Sequence, residues 1–110
     1  MRHLSKLLLA CALSIGCATT PSAPPKWLTD AQDAVASAQA AGADQVPAAQ
    51  AALQKAQTAL KAAQAGGSNA QLQASLAKAN ADLAGNLARQ AKVQADLQAA
   101  TNQLNALKAQ

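Results

Sequence analysis

Val46-Pro47-Ala48-Ala49-Gln50-Ala51-Ala52-Leu53-Gln54-Lys55-Ala56-Gln57-Thr58-Ala59-Leu60 is the stretch that decides the fold. Val46, Leu53 and Leu60 recur every seven residues, and Ala49, Ala56 and Ala63 stand three places after each of them. That is the a/d spacing of a helix that packs along one stripe, and it lacks the strict alternation of a half-buried strand. Alanine has the best intrinsic helix propensity, so local preference and periodicity agree. Pro47 fits only in a first turn, where the missing amide has no partner within the helix.

The same spacing extends in both directions. Leu28 and Val35 precede it, with Ala31 and Ala38 in the second position; Leu76, Leu83, Leu97 and Leu104 follow, with Ala79, Val93, Ala100 and Leu107 completing the seam. Asn86 and Gln90 place amides where leucine is expected; such polar seam residues either set partner or register at a cost in stability or mark a small bend or wet patch. Gly42 and the Gly66-Gly67 pair supply two breaks, since glycine tolerates the left-handed conformation that closes a helix. The pattern predicts helices over 27–41, 46–65 and 69–108. Thr29 with Gln32, and Ser68 with Gln71, have capping-box spacing, and Asp44 is expected to cap the middle helix. Asp30 and Asp33 are expected in a first turn, where carboxylates suit the helix dipole. Lys78 with Asp82, and Lys92 with Asp96, read as exposed pairs at four-residue spacing. The expected fold is all-α: an elongated helical hairpin or three-helix coiled-coil-like bundle, with the first two helices folded back along the third.

The 110 residues include 33 alanines and 14 glutamines but one Trp and no Phe or Tyr, so large core-filling side chains are scarce. Ahead of the helical domain (27–110) lie two other segments. Residues 1–16 carry Arg2 and Lys6 around His3, then an apolar run from Leu7 to Ile15. That run is half the length needed to cross a ~30 Å hydrocarbon core and reads as a removable export signal. Residues 17–26 are a tether in which Pro21, Pro24 and Pro25 fix φ and remove donors. Ser14-Ile15-Gly16-Cys17 resembles a bacterial lipoprotein signal, in which an aliphatic residue, a small or β-branched residue and Gly or Ala precede a lipidated cysteine. Ser14 departs from the usual leucine, with Leu13 one place upstream. The resemblance implies cleavage between Gly16 and Cys17, diacylglycerol on the Cys17 sulfur and palmitate-type acyl chains holding the protein on a membrane. Ala18 after that cysteine, in place of the aspartate of inner-membrane retention, implies the outer membrane. The alternative is cleavage after Ala18 by the general signal peptidase, giving a soluble periplasmic protein.

From Trp27 to about Leu97 the chain resembles the bacterial lipoprotein family catalogued as domain of unknown function 4398. Leu28-Thr29-Asp30-Ala31-Gln32-Asp33-Ala34, the Gly42-Ala43 turn leading to Pro47, the heptads around Leu53 to Leu60, and Ala81 to Ala84 carry that likeness. The resemblance implies a helical hairpin in the cell envelope and no known activity. A weaker likeness is to murein-lipoprotein-type coiled coils, whose terminal wall-linking lysine is not matched in Leu107-Lys108-Ala109-Gln110. Covalent wall attachment is therefore not expected.

Catalysis is not expected either. His3 leaves with the signal, the chain has no glutamate, and Asp30, Asp33, Asp44, Asp82 and Asp96 stand without a companion base. No metal or cofactor site and no small-molecule substrate are expected, and no pair of thiols survives processing. Removal of Arg2 and Lys6 leaves seven basic and five acidic side chains, scattered and without stacking aromatics, which argues against nucleic acid as a partner. Trp27 is expected to staple the first helix to the bundle, the alternative being a membrane-interface or partner-docking anchor. The functional expectation is a lipid-anchored structural or interaction protein of the envelope, its helices pairing with one another as a homo-oligomer or with an envelope protein. The alternative is a soluble periplasmic holdase or adaptor.

Overall fold

The computed structural model describes residues 23–110. Gly16, Cys17, the signal segment and most of the tether lie outside the described residues. Helix α1 spans Lys26–Ala40, α2 spans Pro47–Gln64 and α3 spans Ala70–Lys108, with a short 3-10 turn over Ala43–Gln45. Among the described residues there is no strand, and each helix end lies within one residue of the expected boundary. The glycines mark the breaks as expected: Gly42, Gly66 and Gly67 have φ of 87°, 82° and 92°. Both turns close alike, with the Gly42 amide donating to Gln39 O at 2.9 Å and the Gly66 amide to Ala63 O at 3.1 Å.

The expected caps are not the ones used. Pro25, with ψ 147°, turns its carbonyl toward the amides of Leu28 and Thr29 at 3.0 and 3.2 Å, so α1 starts at Lys26. Thr29 then falls inside the helix, and its hydroxyl faces back to Pro25 O at 3.5 Å. The earlier start also moves Asp30 and Asp33 out of the first turn, where no acidic residue lies. Asp30 instead receives the Lys26 ammonium at 2.9 Å. Ser68 lies one residue ahead of the position that starts α3, Asn69, which makes no side-chain cap. Val46 precedes α2, with Pro47 in its first turn as anticipated, and Asp44 contributes only its backbone carbonyl, which accepts Gln50 Nε2 at 2.8 Å.

Ala31, near the start of α1, packs with Ala59 and Ala63 at the end of α2 and with Ala74 and Ala77 near the start of α3. Val35 and Ala38 pack with Ala49 to Ala56 and with Ala81 to Ala88. The chain therefore runs up, down and up, with α1 parallel to α3 and both antiparallel to α2. Trp27 rests against the first of these clusters, half-buried, as the expected staple. Alanine dominates the interior: the buried apolar residues are Val35, Leu53 and otherwise alanines. A methyl group keeps helix axes close, so contacts among backbones and Cβ atoms take the place of large side chains.

In α1 and α2 the expected seam is the buried one, at Ala31, Val35, Ala38, Ala49, Leu53, Ala56 and Ala63. In α3 it is not. Leu76, Leu83 and Ala79 are exposed, and the buried positions are Gly85 and the alanines Ala70, Ala74, Ala77, Ala81, Ala84 and Ala88. From Ala74 onward each of these alanines stands two places before a position of the expected seam (Leu76, Ala79, Leu83, Asn86, Gln90), and Ala70 stands two places before Leu72, one step N-terminal of it. Two residues are ~200° around a helix of 3.6 residues per turn, so the two heptads occupy opposite faces. The alanine face wins because α1 and α2 also present methyl groups, and leucines between them would hold all three axes apart.

Candidate interaction surface

The face of α3 that stays out of the bundle core is the most unusual surface of the described chain. It carries Leu72, Leu76, Leu83, Val93, Leu97, Leu104 and Leu107, of which the least exposed, Leu76, is 45% exposed and Leu97 is 66%. Their spacing of three and four residues is unbroken through Ala79, Asn86, Gln90 and Ala100, and the helix is continuous from Ala70 to Lys108. Sequence reasoning identified most of this set but assigned it to the bundle, and it missed Leu72, whose signal is its place four residues before Leu76. Beyond Ala91 every residue of α3 is exposed, because α1 and α2 reach no further. Val93, Leu97, Leu104 and Leu107 thus stand on a helix without neighbours.

Several polar side chains along and beside this face are engaged within their own helix. Ser75 Oγ donates to Gln71 O at 3.1 Å, Asn80 Nδ2 to Leu76 O at 2.9 Å and Thr101 Oγ1 to Leu97 O at 2.9 Å. Arg89 Nη2 donates to Asn86 Oδ1 at 2.8 Å. Lys78 and Asp82, and Lys92 and Asp96, form the expected pairs at 2.9 Å, all exposed. The hydrogen bond to Asp82, and then the charge of that carboxylate, raise the Lys78 ammonium above the ordinary lysine value.

Two depressions complete the surface. A shallow groove of about 750 Å³ between α2 and α3 is lined by Gln54, Lys55, Thr58, Ala62, Gln73 and Leu76. A dent of about 260 Å³ beside the 3-10 turn is lined by Gln39, Asp44, Gln50 and Gln57, with one carboxylate and no base. Among the described residues no three His, Cys, Asp or Glu side chains gather into a metal-ligand group, and no described helix is long and apolar enough to cross a membrane. The lipid-attachment and cleavage positions, Cys17 and Gly16, lie outside the described residues.

No family model, curated protein or solved structure matches the chain.

Proposed function

We propose that this chain is a lipid-anchored structural or interaction protein of the bacterial cell envelope, with no catalytic role. The observation that carries the interaction role is the leucine face of α3, which α1 and α2 leave uncovered among the described residues. Support for the anchor comes from Ser14-Ile15-Gly16-Cys17, the sequence that resembles a lipoprotein signal. Two or three acyl chains hold a protein on a bilayer far more firmly than one, so a Cys17-acylated chain stays on its membrane. Fold geometry suits that reading. Lys26 lies only nine positions after Cys17, a reach of at most ~32 Å, and α1 enters the bundle at the end where α3 begins. The overhanging end of α3 consequently projects away from the attachment point, toward the periplasm if the outer membrane is the anchor.

Metabolic labelling with a fatty-acid analogue tests the anchor: label is expected on the native chain and absent from Cys17→Ser. Equal absence from both overturns the anchor and leaves a soluble periplasmic holdase or adaptor, a reading that the same exposed leucines support. In that event the chain appears in the periplasmic wash on fractionation rather than with the membranes.

A further inference from the structure

We infer that the occupant of the leucine face is a second copy of this chain, α3 packing on α3 in parallel and in register. The inference deepens the interaction role proposed above and is independent of acylation. Leu72 to Leu107 spans ~52 Å at 1.5 Å per residue, and a helix face ~10 Å across makes that ~500 Å² per chain. Two copies together cover ~1,000 Å², the size at which specific interfaces begin. The strip is apolar on both sides of Asn86 and Gln90, and exposed apolar patches rimmed by polar residues mark interaction sites.

The amides choose the direction. Each amide side chain offers both donors and an acceptor, so in a parallel register Asn86 meets Asn86 of the second copy and Gln90 meets Gln90 of the second copy. The alkyl positions likewise meet their equivalents. Only one antiparallel register avoids setting an amide against an alkyl side chain, the one that opposes Asn86 and Gln90. That register brings Asp82 against Asp96 and Arg89 against Arg89, and like charges facing one another are destabilising. In the parallel register the flanking Asp82, Arg89 and Asp96 face Leu87, Gln94 and Thr101 of the second copy, and no like charges meet. The buried alanine face, turned ~200° away, keeps α1 and α2 of both copies clear of the contact.

The test uses the full chain with Cys11 and Cys17 replaced by Ser, so that no acyl group takes part. Into it go single cysteines at Leu72→Cys, Leu107→Cys or Ala95→Cys, the last on the opposite face of the same exposed helix. Under mild oxidation the first two are expected to form homodisulfides about tenfold faster than the third, since disulfides need Cβ atoms ~4 Å apart. Equal rates at all three overturn the interface. Cross-links only between Leu72→Cys and Leu104→Cys chains in a mixture overturn the parallel order. In sedimentation equilibrium the cysteine-free chain is expected at twice its 11.0 kDa mass, and Leu97→Lys with Leu104→Lys is expected to halve it. A mass that stays monomeric, or reaches three copies, also overturns the proposal. Should the lysine variant fail to fold, the cysteine series, which keeps the rest of the face, decides alone. Absence of fatty-acid label on the native chain refutes the anchor without touching this result.

Discussion

The glycines have opposite reasons for being where they are. Gly42 holds φ at +87°, a conformation in which any Cβ is strained, whereas Gly85 lies in the regular interior of α3. A Cβ on Gly85 meets the Ala38 Cα at 3.6 Å, an ordinary contact, and the end of the flexible Arg89 side chain at 3.3 Å. Gly85→Ala is therefore expected to stabilise the fold by about 0.5–1 kcal/mol, the helix-propensity gap between the two residues. Gly42→Ala is expected to destabilise it by about 1 kcal/mol. Urea unfolding of both variants checks the pair, and a loss of stability in Gly85→Ala shows that α1 and α3 have no room for the methyl group. The residue scale also explains why the caps were illegible. Thr29 and Ser68 satisfy the capping-box spacing, but α1 is started by Pro25, four residues before Thr29, and α3 by Asn69, one residue after Ser68, and spacing alone does not reveal which nearby residue the backbone uses.

A helix with two heptads poses a choice that the sequence leaves open. Helix boundaries were legible because Gly42, Gly66-Gly67 and Pro47 punctuate the chain with little ambiguity. The inward faces of α1 and α2 were legible because each has one stripe bearing both Val or Leu and Ala. In α3 the stripe of larger residues lies opposite a stripe of pure alanine, and hydrophobicity favours the former as core while close packing selects the latter. Ala84, fully buried against α1 and α2, separates the two principles. Ala84→Leu is expected to cost about 1–3 kcal/mol by wedging the helices apart. Ala95→Leu, on the exposed part of the same helix, is expected to stay within about 0.5 kcal/mol. Thermal unfolding of the two variants makes the comparison, and equal midpoints contradict a methyl-packed interior. Of the candidate surface, its heptad spacing and its two amides were legible; its outward orientation was not, since that depends on which face the other helices take.

For the whole molecule, support is uneven along α3. Residues 70–88 are walled by α1 and α2, whereas 92–108 have no neighbouring helix among the described residues. Short isolated helices are marginal in water, so the second part must draw its order from elsewhere. In hydrogen exchange, the monomeric Leu97→Lys and Leu104→Lys variant is expected to lose protection over 92–108 while keeping it over 70–88. The native chain, at concentrations where two copies associate, is expected to retain protection throughout. Slow exchange over 92–108 in the variant contradicts that dependence. Mechanically, α1 and α2 act as a collar clamped around the lower half of a shaft, and a clamped shaft bends where its collar stops. Lateral load at the Gln110 tip therefore concentrates as curvature just past Ala91, where one strand of backbone hydrogen bonds bears all of it. Doubling the shaft stiffens that point, so the reach of this molecule away from its base depends on how many copies stand together.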